Sequence, residues 1–267
     1  MAQAKESFRL VIVAGARGKM GETFSRFLGS LPNTQCVGIS QNTADPKKNL
    51  YAVNVLDSQS SERFISDLPL RHYREIILVY AIGPFFFEKT GRPKYDADRD
   101  GIDDDVFSSN FSGFKNLTEP LLKRAKSWGK RKKNVLTLCA FGSISDRFVV
   151  PWWQSYSKSK NLLREYIRNQ VRGNVRGVFI NVGSTEKHGE RPFADKRYWL
   201  RCYQVAAASL RPLLDTSLFW QEIDIFRPNP NYHSGFFQDH ASLKARWLKE
   251  MGCSRTKALK KSRMKRN

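Results

Sequence analysis

Residues 8–21 read FRLVIVAGARGKMG, and the order of their parts governs how the rest of the chain is read. Phe8–Ala14 is a short apolar run that stops at a glycine, the pattern of a strand buried on both faces. GARGKMG follows, with glycines at Gly15, Gly18 and Gly21. Gly15 permits a tight turn, Gly18 allows a pyrophosphate to approach the backbone, and Gly21 allows close contact between helix and sheet. From Met20 onward the apolar residues Met20, Phe24, Phe27 and Leu28 fall on one helical face. Strand, glycine turn and helix in that order point to dinucleotide binding, a specificity that a glycine triplet alone lacks.

Working outward, Thr34–Ser40, Tyr51–Asp57 and Ile76–Ile82 read as three further short strands. A helix is expected over Asp104–Trp128, interrupted near Ser112–Gly113, then a strand at Asn134–Ala140 and a helix at Ser155–Val171. Val175–Val182 is the sixth strand, Trp199–Leu214 is helical, and Glu222–Phe226 closes the series. Strands apolar on both faces, alternating with helices, specify an α/β fold: a Rossmann-type doubly wound parallel sheet of about seven strands with helices on both faces. The expected organisation is one nucleotide-binding domain over residues 1–226, which includes the active site. A basic extension over 227–267 follows, helical around Ala241–Met251 and disordered after it.

At 267 residues the chain is long enough for a full core, and no apolar run approaches membrane-spanning length. Cys36, Cys139, Cys202 and Cys253 are far apart with no Cys-x-x-Cys, as expected of reduced thiols in a cytoplasmic protein. The net charge is +21, of which +9 lies in residues 227–267 and the other +12 on the body. Such a surface attracts polyanions, including RNA and acidic membranes. No nucleic-acid module is recognisable in the sequence.

NAD sites place a carboxylate after the second strand to hold the ribose hydroxyls. Here Ser40, Gln41 and Asn42 occupy that place, followed by Lys47 and Lys48, and Arg17 sits inside the glycine loop. A guanidinium there suits a 2′-phosphate, so NADP(H) is the expected cofactor, with NAD(H) as the alternative.

Tyr156 and Lys160 lie four apart, on one face of a helix. In a lysine-rich chain with nine tyrosines, such a pair arises by chance about once, so its neighbours must decide. LCAFGSIS puts Ser143 thirteen residues before Tyr156, and SSNFSGFKNLTEPLL carries Asn110. With VIVAGARGKMG, NVLD at Asn54–Asp57, YAIG at Tyr80–Gly83 and the terminal WQEIDI, this set resembles the short-chain dehydrogenases/reductases in their compact single-domain form, over most of residues 8–226. The resemblance implies Tyr156 as acid/base, Lys160 as its activator and ribose anchor, Ser143 as donor to the substrate oxygen, and Asn110 as holder of a water. It also implies cofactor contacts at Gly15, Arg17, Gly18, Met20, Gly21, Ser40, Asn54, Val55, Ala81, Gly83, Lys160 and Thr185, and a homodimer or homotetramer. An ammonium beside a phenol is expected to lower its pKa from near 10.

Several departures stand beside that resemblance. The Gly-x-x-Gly-x-x-Gly spacing is that of the extended, nucleotide-sugar-acting members, and NVGSTEKHGERPF lacks the usual Pro-Gly. VAGARGKMG is also similar to dihydrodipicolinate reductase, whose downstream His-His and Lys motif is missing here. DADRDGIDDD at Asp96–Asp105 looks like a calcium loop, but Phe107 stands where the twelfth-position glutamate belongs, so an acidic loop at a helix N-terminus is expected. His72, His188, His233 and His240 show no metal-ligand spacing, and no metal is expected. Trp152, Trp153 and Phe85–Phe87 suit either a bulky apolar substrate pocket or packing. The function expected is NADP(H)-dependent hydride transfer between nicotinamide and a carbonyl or alcohol. The alternatives are a non-catalytic or regulatory nucleotide binder that contacts a polyanion, and a nucleotide-sugar epimerase or reductase.

Overall fold

The computed structural model describes residues 8–88, 92–128, 134–148, 150–186, 191–229 and 237–252. Seven strands form one sheet in the order β3-β2-β1-β4-β5-β6-β7: β1 Arg9–Ala14, β2 Thr34–Ser40, β3 Leu50–Ala52, β4 Glu75–Tyr80, β5 Val135–Ser143, β6 Val175–Val182 and β7 Trp220–Ile225. Every neighbouring pair is parallel. The order reverses between β1 and β4, which opens a crevice at their C-terminal ends, the usual ligand position in such sheets.

Side-chain alternation along each strand feeds two apolar layers. Leu10, Ile12 and Leu78 join Phe114, Leu117, Leu163 and Ile167 on one face. Val11, Val13, Val79 and Val178 join Phe24, Leu28 and Val205 on the other. The first layer is covered by α2 (Ser58–Asp67), α4 (Gly113–Ser127) and α5 (Gln154–Gln170), the second by α1 (Lys19–Gly29) and α6 (Cys202–Leu214).

The boundaries differ from expectation where side chains compete with the backbone. The run Tyr51–Asp57 is not one strand: β3 ends at Ala52, and the Asp57 carboxylate accepts from the Gln59 amide at 3.0 Å as the N-cap of α2. That helix, absent from the sequence reading, buries only Ser61, Phe64 and Ile65 of its ten residues, too sparse a stripe to show as periodicity. The expected break at Ser112–Gly113 is instead a π-helical turn at Ser108–Ser112, between a short α3 (Asp104–Phe107) and α4. β5 runs three residues past Ala140 to end on Ser143, and β7 starts and stops earlier than Glu222–Phe226.

Near the end of the described chain, α7 (His240–Glu250) docks on the body. Leu243 and Trp247 pack with Val150 and Trp153 in a third apolar cluster. The tail expected to be disordered, 253–267, lies outside the described residues, as do Cys253, His188 and His233.

Candidate active site

The glycine loop is built as its spacing requires. Gly15 has φ +79°, a conformation that disfavours any side chain, and a Cβ on Gly21 would run into the Gly15 carbonyl. Beside it a cavity of about 250 Å³ opens between β1, β2 and β4, lined by Gly15, Gly18, Ser40, Asn54, Val55 and Ile82 among others. Arg17 is exposed at its rim and donates to Thr43 Oγ1 at 2.7 Å, while Ser40 Oγ donates to the Thr43 carbonyl at 2.9 Å. Ala81 lies against Gly15, with its amide donating to the Ala14 carbonyl at 2.9 Å. Met20 does not line this cavity; it packs on α1 against the second apolar layer. Thr185 does not line this cavity either; it lies on the segment after β6, bridged to Leu200. The neighbouring Glu186 pairs with Lys19 at 3.1 Å, so a salt bridge links that segment to the start of α1.

The second group of residues assembles one strand further along. Gly83 leaves β4 so close to the others that a Cβ there would lie 2.9 Å from Lys160 Nζ and 3.0 Å from Asn110 Oδ1. Asn110 is fully buried because the π-turn rolls it inward; its Nδ2 donates to the Pro84 and Val106 carbonyls at 3.1 and 2.9 Å. Its Oδ1 is buried with no partner among the described residues, an acceptor facing the Lys160 side of the site. Lys160 Nζ lies 5.4 Å from the centre of the Tyr156 ring, as residues one helical turn apart on α5 can. Ser143 ends β5 in register with Val182, and its amide donates to Asp146 Oδ2 at 2.9 Å.

Burial sets the electrostatics. It pulls Lys160 down to about 8, against the opposing pull of Asp146. It pushes the Tyr156 phenol well above its ordinary value, with the Asp146 charge adding to the rise. The lowered phenol expected from the neighbouring ammonium is therefore not found: desolvation of the phenolate and the Asp146 charge both raise it.

The aromatic residues serve as packing around the tyrosine. Phe85 meets Tyr156 edge to face at 5.2 Å and also touches Trp153 and Trp247, and Phe87 stacks on Trp247 at 5.6 Å. Arg191 fastens α7 in place. It pairs with Glu250 at 3.1 Å, donates to Ser184 Oγ at 2.7 Å, and lies over the Trp247 and Trp199 rings. The carboxylates of Asp96, Asp98 and Asp100 converge within 4.8 Å, yet each also accepts from a backbone amide of its own loop, from Gly101, Asp100 and Ile102 respectively.

Two residues that sequence reasoning passed over support the site. Glu88 is buried and caps α5, its carboxylate accepting from the Gln154 and Ser155 amides at 2.9 and 3.2 Å and from the Ser155 hydroxyl. Asp146 is buried beside Ser143. The only signal for Asp146 was an acidic residue between the serine and the tyrosine; Glu88, 66 positions before Gln154, had none.

No protein-family model and no curated protein matches this chain. Solved structures do. A short-chain dehydrogenase from Burkholderia cenocepacia in complex with NADP superposes with a TM-score of 0.64 at 16% identity, over 91% of this chain and 98% of that one. A short-chain dehydrogenase from Streptomyces avermitilis gives a TM-score of 0.65 at 16% identity, over 92% and 96%. An alcohol dehydrogenase from the archaeon Thermococcus sibiricus, complexed with 5-hydroxy-NADP, gives 0.64 at 16% identity, over 84% and 99%. With its seven-stranded parallel sheet and the crevice between β1 and β4, the chain has the compact fold of the short-chain dehydrogenases/reductases.

Proposed function

We propose that the protein is an NADP(H)-dependent oxidoreductase that interconverts a carbonyl and an alcohol. The observation that carries this reading is the convergence of Lys160 and Asn110 on Gly83, with Lys160 Nζ 5.4 Å from the Tyr156 ring, next to the cavity of the glycine loop. The residues fit a dinucleotide: the cavity lies at the switch point, Gly21 has no room for a Cβ, and Asn110 Oδ1 is a buried acceptor with no partner among the described residues. Gly15, Gly18, Ser40, Asn54, Val55 and Ala81 would hold it, with Lys160 and Thr185 toward its nicotinamide end. A nicotinamide supplies hydride chemistry when bound.

The chain's own residues handle orientation and protons. Ser143, at the end of β5, donates a hydrogen bond to the substrate oxygen as charge gathers there. The Tyr156 hydroxyl delivers a proton to that oxygen in reduction and recovers it in oxidation. A phenol held above its ordinary value stays protonated at neutral pH, which suits the reducing direction. Lys160, at about 8, exchanges protons in the working range, and Asn110 Oδ1 can hold a water that connects it to solvent. Arg17 with Thr43, and the lack of a carboxylate at Ser40, Gln41 and Asn42, favour the 2′-phosphate of NADP(H) over NAD(H).

NADPH and NADH binding followed by fluorescence, with a carbonyl and alcohol panel in both directions, tests the reading. Tyr156→Phe is expected to keep NADPH binding and lose about 100- to 10,000-fold in kcat. A protein that binds neither nucleotide would rule the reading out. The +21 charge favours a second reading, a nucleotide binder that contacts a polyanion. Salt-dependent RNA or acidic-vesicle binding unchanged by Tyr156→Phe, with no turnover, would support it.

A further inference from the structure

Asp146 is a buried carboxylate that the proton transfers above do not use. It lies between the catalytic serine and the catalytic helix. Its Oδ2 accepts the Ser143 amide at 2.9 Å, and its Oδ1 accepts Arg164 Nη2, on α5, also at 2.9 Å. Its backbone carbonyl accepts Asn161 Nδ2 at 3.1 Å. Arg164 is itself held by Glu222 at 3.0 Å and by Asn181 Oδ1 at 3.2 Å, and Asn181 donates to Glu222 and Asp224 on β7. Arg147 closes the set with paired contacts to Asp224 at 2.9 and 2.6 Å.

From this geometry we propose that Asp146 is a positioning residue of the active site, tying the Ser143 turn to α5 at Asn161 and Arg164 and placing a carboxylate near the Tyr156–Lys160 pair. The inference rests on the oxidoreductase reading for its catalytic consequence, but the charge effect is measurable without turnover.

The neighbouring charges set the sign. Asp146, Glu222 and Asp224 are three carboxylates against two guanidiniums, Arg147 and Arg164. Lys160 is the next cation on α5; the other groups facing it, Asn110 from the π-turn and the Gly83 backbone, are neutral. A carboxylate in this position holds the proton on both members of the pair: it favours the ammonium and opposes the phenolate. The pair therefore titrates higher than burial of the lysine alone would leave it. Removing the charge should move the titration of Lys160 and Tyr156 down together.

The test uses full-length protein labelled with 13C at lysine Cε, the Lys160 resonance being assigned with Lys160→Arg. In Asp146→Asn the Lys160 midpoint should fall by about one pH unit or more. In Arg164→Gln, which removes the compensating cation and keeps Asp146, it should rise. Should Asp146→Asn not fold, Asp146→Ser, which also removes the charge, takes its place. In turnover, the acidic limb of alcohol oxidation should shift to lower pH in Asp146→Asn. A purely structural residue would instead reduce kcat and leave the limb in place. A Lys160 midpoint that does not move when the Asp146 charge is removed overturns the proposal. A wild-type protein that turns over no carbonyl or alcohol counts against the oxidoreductase reading instead, because the lysine titration still reports on Asp146.

Discussion

At the residue scale, Gly83 has little freedom. Its missing Cβ is the space into which Lys160 Nζ and Asn110 Oδ1 project. An added methyl group meets the far end of a flexible lysine and a side-chain amide rather than backbone, so Gly83→Ala should fold, at a cost of about 1–3 kcal/mol. It should displace the ammonium and the amide from each other, and lower kcat by about tenfold or more through lost alignment. Thermal unfolding beside steady-state kinetics separates the two effects, and an unchanged kcat would remove Gly83 from the site. The sequence offered Tyr156 and Lys160 at this scale as a spaced pair, with Asn110 and Ser143 as expected partners; the fold brings Lys160 and Asn110 together at Gly83. Their protonation was not legible in the sequence. The phenol sits above its ordinary value because of how much protein surrounds it, a quantity no four-residue spacing records.

At the element scale, α5 carries both members of the pair, and its N-terminus is fixed from outside. Glu88 accepts two of its first amides, and the Ser155 hydroxyl both donates to Glu88 and accepts the Asp103 amide at 2.8 Å. Asp103 is in turn the N-cap of α3, which leads into the π-turn of Asn110. One hydrogen-bonded chain thus joins the helix of Tyr156 to that of Asn110. Glu88→Ala should destabilise the fold by about 2 kcal/mol, from a lost cap and stranded buried donors, while Glu88→Gln, which retains an acceptor oxygen, should cost less. Urea unfolding of both variants checks the order, and equal losses would mean that the site is held by packing alone. These elements also show why boundaries were missed. β3 and α2 depend on Asp57, whose cap competes with strand geometry, and a sparse apolar stripe hides the helix behind it.

At the scale of the whole molecule, a lysine buried near the C-terminal end of the central strand leaves a mark on stability. Lys160 titrates at about 8 in the folded protein and near 10.4 in an unfolded chain. Below pH 8 it is charged in both states and the cost of burying that charge is felt in full. Between about 8 and 10 the unfolded chain binds more protons, so this residue's contribution to stability rises with pH. Wild-type stability measured relative to Lys160→Met should therefore increase over pH 8 to 9.5, by up to about 1.4 kcal/mol per pH unit. Staying below pH 10 keeps the raised Tyr156, which acts in the opposite sense at higher pH, out of the comparison. A flat difference would mean that the ammonium is solvated. By itself, the sequence determined the doubly wound sheet, the glycine turn and the order of the site residues, because strand alternation, glycine spacing and helical period are local rules that leave local traces. Tertiary structure alone decided the environment of those residues. Glu88 reaches α5 from 66 positions away, Asp146 reaches β7 through Arg164, and Trp247 comes back from α7 to pack on Phe85. Such contacts follow from which surfaces the folded layers bring together, and burial and electrostatic fields exist only once they have met.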